Sequence, residues 1–394
     1  MATIKEEPSL YEKKMKRHKQ KVMIAISTIG IVALAVIIFL INSFFHKNYN
    51  SYEVEHTTVR QDSNTVKYVS YKDKLLKYSR DGVAVLEPSG KVLWNASYDM
   101  RHPQIAICKS YIAIADIGYK QLNVYDGKGN EYPITTTLPI IDVAVAEQGV
   151  VAVTVEGEDY NQVLLYYALT GEVLVQTQTG VQDEGYPIDI AISHDAKKMV
   201  SDYFVIQGGV IETDVSFYNF SDVGDNKESQ LVGGIKKPKI VTQDVEFINN
   251  TTVLLCEENG FSVYRMKEIP SEIFSKTYKR EIASIFYTDE YVGCILKNED
   301  EKEGNQLLLY NIDGKKEVDR SIKFGYTNVQ MSGEDIIFNT ENNIVILDTN
   351  GNTKFKYTFD REISYVMPVN DRDEYVVIDD QNIEQIRLVE GKDK

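Results

Sequence analysis

Cysteine is scarce: Cys108, Cys256 and Cys294 are the three in 394 residues, and none has C-x-x-C spacing. Three cannot all pair within one chain, so a disulfide framework and a cysteine zinc knuckle are both excluded. Each lies in an apolar run, where a thiol behaves as a small buried hydrophobe. The five histidines, His18, His46, His56, His102 and His194, are scattered, with no two at metal-ligand spacing on a shared element. No Gly-x-Ser-x-Gly elbow and no glycine-rich phosphate loop occurs. Asp348, Asn350 and Asn352 sit at positions 1, 3 and 5 of a would-be calcium loop, but Thr353 and Phe359 occupy the positions that need Gly and Glu. That stretch reads as a turn, and the acidic run 298–305 as a solvated loop. No catalytic set, cofactor site or metal site is predicted. Basic residues are few beyond residue 45: 36 against 56 acids, a net charge near −20. Such a balance excludes nucleic acid, whose binding rests on Lys/Arg contacts to phosphate.

What is present begins with Val22 to Ile41, twenty residues without a charge. A hydrocarbon core of roughly 30 Å needs about 20 apolar residues in a helix, so this run predicts a transmembrane α-helix. Before it lie Lys13, Lys14, Lys16, Arg17, Lys19 and Lys21; after it the nearest base is Lys47. Positive flanks stay in the cytoplasm, which places the N-terminus inside and the remainder outside. A cleaved signal peptide is the alternative, but its apolar region is shorter and ends in a small-x-small site. The expected layout is a cytoplasmic basic tail (1–21), a transmembrane signal anchor (22–45), a tether (46–64) and an extracytoplasmic domain (65–394).

That domain repeats itself. An apolar run, a turn with Asp, Asn or Gly, and a second run recur at 83–94, 122–134, 163–175, 215–232, 261–274, 307–318, 344–357 and 383–392. With Leu86, Tyr125, Tyr167, Tyr218, Tyr264, Tyr310, Leu347 and Ile386 taken as equivalent, the spacings are 39, 42, 51, 46, 46, 37 and 39. Val, Ile, Thr, Tyr and Phe dominate and helical periodicity is almost absent, so the elements are strands. A period of about 40–45 with four short strands marks the blades of a β-propeller. The fold class is all-β, with eight blades favoured over seven. The last repeat ends after its third strand, and the alternating stretch Tyr52 to Thr57 is expected to pair beside 383–388 and close the ring.

At these hairpins the sequence resembles quinoprotein-type envelope propellers. Pro88-Ser89-Gly90-Lys91-Val92-Leu93-Trp94 is similar to their repeat, in which a Trp docks between blades; Leu169 to Val175 and Asn311 to Val318 keep the Gly without the Trp. The whole layout also resembles an uncharacterised family of clostridial (Firmicutes) single-pass membrane proteins with a quinoprotein-like or WD-like ectodomain. The quinone dehydrogenases of the first group use a stacked Trp, a Ca²⁺ held by Glu, Asn and Asp, and an Asp base; none of these is placed here, and Trp94 reads as a docking residue.

The functional expectation is a non-catalytic, membrane-tethered scaffold or sensor of the cell envelope that binds a protein or cell-wall-linked partner. The alternative is a quinoprotein-like or hydrolytic enzyme, which a cluster of carboxylates with a His at the central channel would favour. Tyr125, Tyr167, Tyr218, Tyr264 and Tyr310 recur at one strand position and are assigned to packing between blades. Tyr119, Tyr160 and Tyr186, in loops beside Gly or acidic residues, are the candidate binding face. His194 joins them, although Ser193 to Lys197 reads as a turn.

Overall fold

Alternation of apolar and polar residues, broken by glycine turns, sets the whole architecture. The computed structural model describes residues 15, 19, 21–24, 26–34, 36, 48–63, 65–180, 185–225, 227–370 and 372–390. Among the described residues thirty-two strands, β1 to β32 in chain order, form eight antiparallel sheets of four strands. Seven blades are consecutive meanders over 67–97, 103–135, 140–180, 186–238, 242–277, 282–322 and 328–358. The eighth joins β30 (Ile363–Pro368), β31 (Glu374–Asp379) and β32 (Asn382–Val389) to β1 (Ser51–Val59). The first strand of each blade faces the central channel, and the fourth lies outermost.

The β1 strand pairs antiparallel with β32, Tyr52 opposite Leu388, Val54 opposite Ile386 and Thr57 opposite Glu384. Its ring Tyr52 sits edge-on to Tyr357 at 4.9 Å and beside Phe359 at 5.2 Å. A strap then crosses to the first blade. Arg60 Nη1 donates to the Asp379 carbonyl at 2.5 Å, and Asp62 accepts from Arg60, Tyr68 and Lys77, each at 2.8 Å.

In the first, second, sixth and seventh blades the hairpins between third and fourth strands share one five-residue turn: Glu87, Asp126, Asn311 and Asp348 donate their backbone N–H to the carbonyls of Lys91, Asn130, Lys315 and Asn352. Two demands converge on the fourth residue. At Gly129 φ is +83°, and a Cβ there would lie 2.7 Å from the ring of Trp94 on the preceding blade. Gly314 repeats this against Phe274, and Gly90 against Thr58 of β1. Trp94 therefore docks between blades, with its ring 5.6 Å from Tyr125. The cores lie between neighbours, as where Val83 and Val85 of the first blade meet Ile112 and Ile114 of the second, all at most 3% exposed. Each such side chain stabilises the fold by about 1.5–3 kcal/mol.

One strand equivalence shifts by a residue. In the third blade the register breaks between Leu165 and Tyr166, and the Tyr167 carbonyl accepts the turn bonds from Thr170 and Gly171. The residue equivalent to Tyr125 and Tyr310 is thus Tyr166, 7% exposed, while Tyr167 packs, partly buried, against the core between the third and fourth blades.

Within the expected span, residues 22–24, 26–34 and 36 are helical and exposed. No helix among the described residues is long and apolar enough to cross a membrane. Residues 25, 35 and 37–41 of that span, and nearly all of the basic tail, lie outside the described residues.

Candidate functional site

The meander gives the disc two different faces. Turns between first and second strands, and between third and fourth, form a hairpin face; turns between second and third strands, with the links between blades, form a connection face. Since Ser51 pairs with Val389 at the end of β32, the chain enters the ring at the hairpin face.

The three candidate tyrosines come from neighbouring blades and share the connection face. Tyr119 lies between the second and third strands of the second blade, with Arg101 and His102 against its ring at 5.3 and 6.2 Å. Tyr160 opens the third strand of the third blade and packs over Gly157. Tyr186 opens β14 (Tyr186–Ile192) and donates to Glu156 Oε1 at 3.0 Å. The remaining candidate, His194, sits on the opposite, hairpin face. Burial and the nearby Lys109 charge lower its pKa. Asp195 accepts from the Ser193 hydroxyl at 2.7 Å and from the Lys197 N–H at 3.3 Å, which makes this stretch a turn.

From the same connection face rises the hairpin of β15 (Lys198–Gln207) and β16 (Val210–Asn219), the longest pair in the ring. The neighbouring β14 stops pairing at Phe204 and β17 (Leu231–Pro238) at Glu212. Residues 206–210 therefore stand clear of both neighbours, and the last tie below them is the Lys239 N–H donated to the Ile211 carbonyl at 2.9 Å. Ile206, Val210 and Ile211 on this tip are 67%, 41% and 43% exposed.

The channel wall carries a feature that sequence reasoning missed. On adjacent inner strands, Asp142, Asp189 and Asp244 each follow a β-bulge at the same point of the blade. Asp142 accepts from the Gln104 amide at 2.7 Å and from the Ile190 N–H at 2.9 Å; Asp189 accepts from the Val245 N–H at 2.7 Å. Each bond crosses from one blade to the next. The Asp189 carboxyl also lies within hydrogen-bond reach of those of Asp142 and Asp244, and such contacts need a shared proton. Burial is the largest influence on each: it raises Asp142, and with neighbouring carboxylates lifts Asp189 and Asp244 to about 7. Burial and Asp189 likewise carry Asp202 to about 8; it donates no proton to a partner but accepts the Asp189 N–H at 2.8 Å. Glu246, pushed up to about 8 chiefly by burial, accepts from Tyr287 of the sixth blade. Around the ring the belt continues with Ser284 to Tyr326 at 2.9 Å and Gln330 to the Val366 carbonyl. A cavity of about 300 Å³ runs along this wall from Gln104 to His194. No group of three or more His, Cys, Asp or Glu among the described residues is placed to hold a metal ion.

The sequence signal for the belt is Ile141-Asp142-Val143, Ile188-Asp189-Ile190 and Gln243-Asp244-Val245, an Asp ahead of a β-branched residue in three consecutive first strands.

A family model described as "Family of unknown function (DUF5711)" matches residues 45–388. No curated protein matches. Among solved structures, BamB from Moraxella catarrhalis is 12% identical with a TM-score of 0.52, over 86% of this chain and 100% of that one. The Dos1 propeller is 12% identical with a TM-score of 0.51, over 89% and 97%. A eukaryotic initiation factor is 11% identical with a TM-score of 0.52, over 88% of each. At such identity the likeness extends to the fold alone.

Proposed function

The chain belongs to this family of unknown function, and we propose that it is a non-catalytic scaffold of a clostridial cell envelope, anchored by Val22–Ile41 with the propeller outside the cytoplasm. The observation that carries the binding role is the free-standing tip of β15 and β16. A two-stranded ribbon without neighbours is marginal in water, and a contiguous exposed apolar tip on a soluble disc marks a contact surface. Tyr186 and Ile188, 38% and 39% exposed, flank it on the same blade. A protein partner fits this surface, because the chain enters on the opposite face and an anchor there points the tip away from the bilayer. BamB, named among the similar folds, gives a propeller precedent in a bacterium.

The enzyme reading has one observation in its favour, the channel carboxylates with raised pKa beside a cavity. The two central carboxylates are engaged, however: both oxygens of Asp142 and both of Asp189 accept bonds, one from Gln104 and the rest from the Ile190 and Val245 N–H groups. This marks them as staples between blades.

Photo-crosslinkers placed at Ile206 and Val210 test the reading, with Val92 and Leu174 of the outer strands as controls. A discrete protein adduct in intact cells from the tip, abolished by Ile206→Asp/Ile211→Asp, is expected. Adducts from the controls alone would refute it.

A further inference from the structure

We propose that the cavity at the connection-face mouth of the channel, between the first and second blades, binds a small ligand bearing phosphate or carboxylate groups. It measures about 840 Å³, within the range of small-molecule sites. Lys67, Arg80 and Arg101 line it, with Asp81 as the carboxylate beside them. The excess of positive charge stands out on a chain whose net charge is −16. Among the described residues none of the three cations is in an ion pair, whereas nearby Lys74 and Lys77 are held by Asp73 and Asp62.

Two of the cations are also preorganised. Asp116, 5% exposed, accepts the N–H groups of Arg101 and His102 at 3.0 and 2.7 Å and fixes the loop that bears them. Arg101 then lies over the Tyr119 ring and gives one N–H to its hydroxyl at 3.1 Å. The rest of the guanidinium fork remains for an oxyanion, which it matches two bonds at a time. Lys67, from the first blade, stands over the Tyr78 ring at 5.9 Å as a point charge. Hydroxyls of Thr65 and Ser79 and the Gln104 amide complete a polar lining. Three cations spaced around one cavity suit a ligand with more than one anionic group. This site stands independently of the apolar tip on the fourth blade.

The test is calorimetric titration of the full-length chain in detergent micelles with pyrophosphate and, separately, citrate. Saturable one-to-one binding of at least one probe is expected, and which one binds separates phosphate from carboxylate recognition. Arg80→Gln/Arg101→Gln is expected to weaken it about tenfold or more, as is salt at about 0.5 M. Should that double variant lose its cooperative unfolding transition, Lys67→Gln, on an exposed side chain, replaces it with the same expectation. Failure of both probes to bind below about 1 mM, or equal binding by a folded variant, would overturn the proposal.

Discussion

Asp189 joins three blades through one carboxyl group: it touches Asp142 of the third, belongs to the fourth and accepts the Val245 N–H of the fifth. Its pKa of about 7, with Asp244 at about 7 and Asp202 and Glu246 at about 8, sets the sign of a pH effect. Between about pH 4 and 8 the folded chain holds more protons than the unfolded one, so stability falls as pH rises through that window. Denaturant midpoints are expected to be lower at pH 8.5 than at pH 5.5 by an amount worth a few kcal/mol, and Asp189→Asn/Asp244→Asn should flatten the dependence. A wild-type midpoint that climbs with pH would contradict the belt. Composition could not reveal these groups, since an acidic residue in an acidic chain reads as surface until the bulges turn it toward the channel. Gly129 was more legible, because a turn glycine ahead of an apolar run recurs in the sequence. Gly129→Ala combines strain at φ +83° with a clash against Trp94, and is expected to cost about 1–3 kcal/mol in chemical denaturation.

Among elements, β1 and the β15–β16 hairpin depart from the plain repeat, and both left traces in the sequence. An eighth unit one strand short, with an alternating stretch near the other end of the chain, pointed to closure by Tyr52–Thr57; the pairing observed runs over Ser51–Val59. The long hairpin appears as the 51-residue spacing in a series otherwise of 37 to 46. Its purpose did not, because exposure of Ile206 and Ile211 depends on where β14 and β17 end. The off-by-one at Tyr166 has the same origin: a bulge shifts register without altering the apolar pattern. Tyr52→Ala removes a ring packed on Tyr357 and Phe359 and is expected to lower stability by about 2–4 kcal/mol. Deletion of 48–59 leaves β32 as an open edge, and loss of the cooperative unfolding transition together with oligomers by light scattering is the expected outcome. A monomeric, cooperatively folding deletion would show that the ring closes without β1.

For the molecule as a whole, closure by the entering strand ties the disc's pose to the segment before it. About seven residues separate Ile41 from Tyr49, a reach of at most about 25 Å. If the apolar run spans a bilayer, the hairpin face lies toward it, and Tyr119, Tyr186, the cationic cavity and the apolar tip all point away. Distance from a bilayer decides that topology. The decisive measurement is energy transfer from a dye on a single introduced cysteine to acceptors at the surface of a nanodisc holding the full-length protein. Lys128→Cys on the hairpin face and Gly209→Cys on the tip give the two positions, the native cysteines being buried. Strong transfer from position 128 and weak transfer from 209 is the expected result; equal or inverted efficiencies, or failure of the protein to enter the nanodisc, would contradict an anchored disc with its hairpin face toward the bilayer.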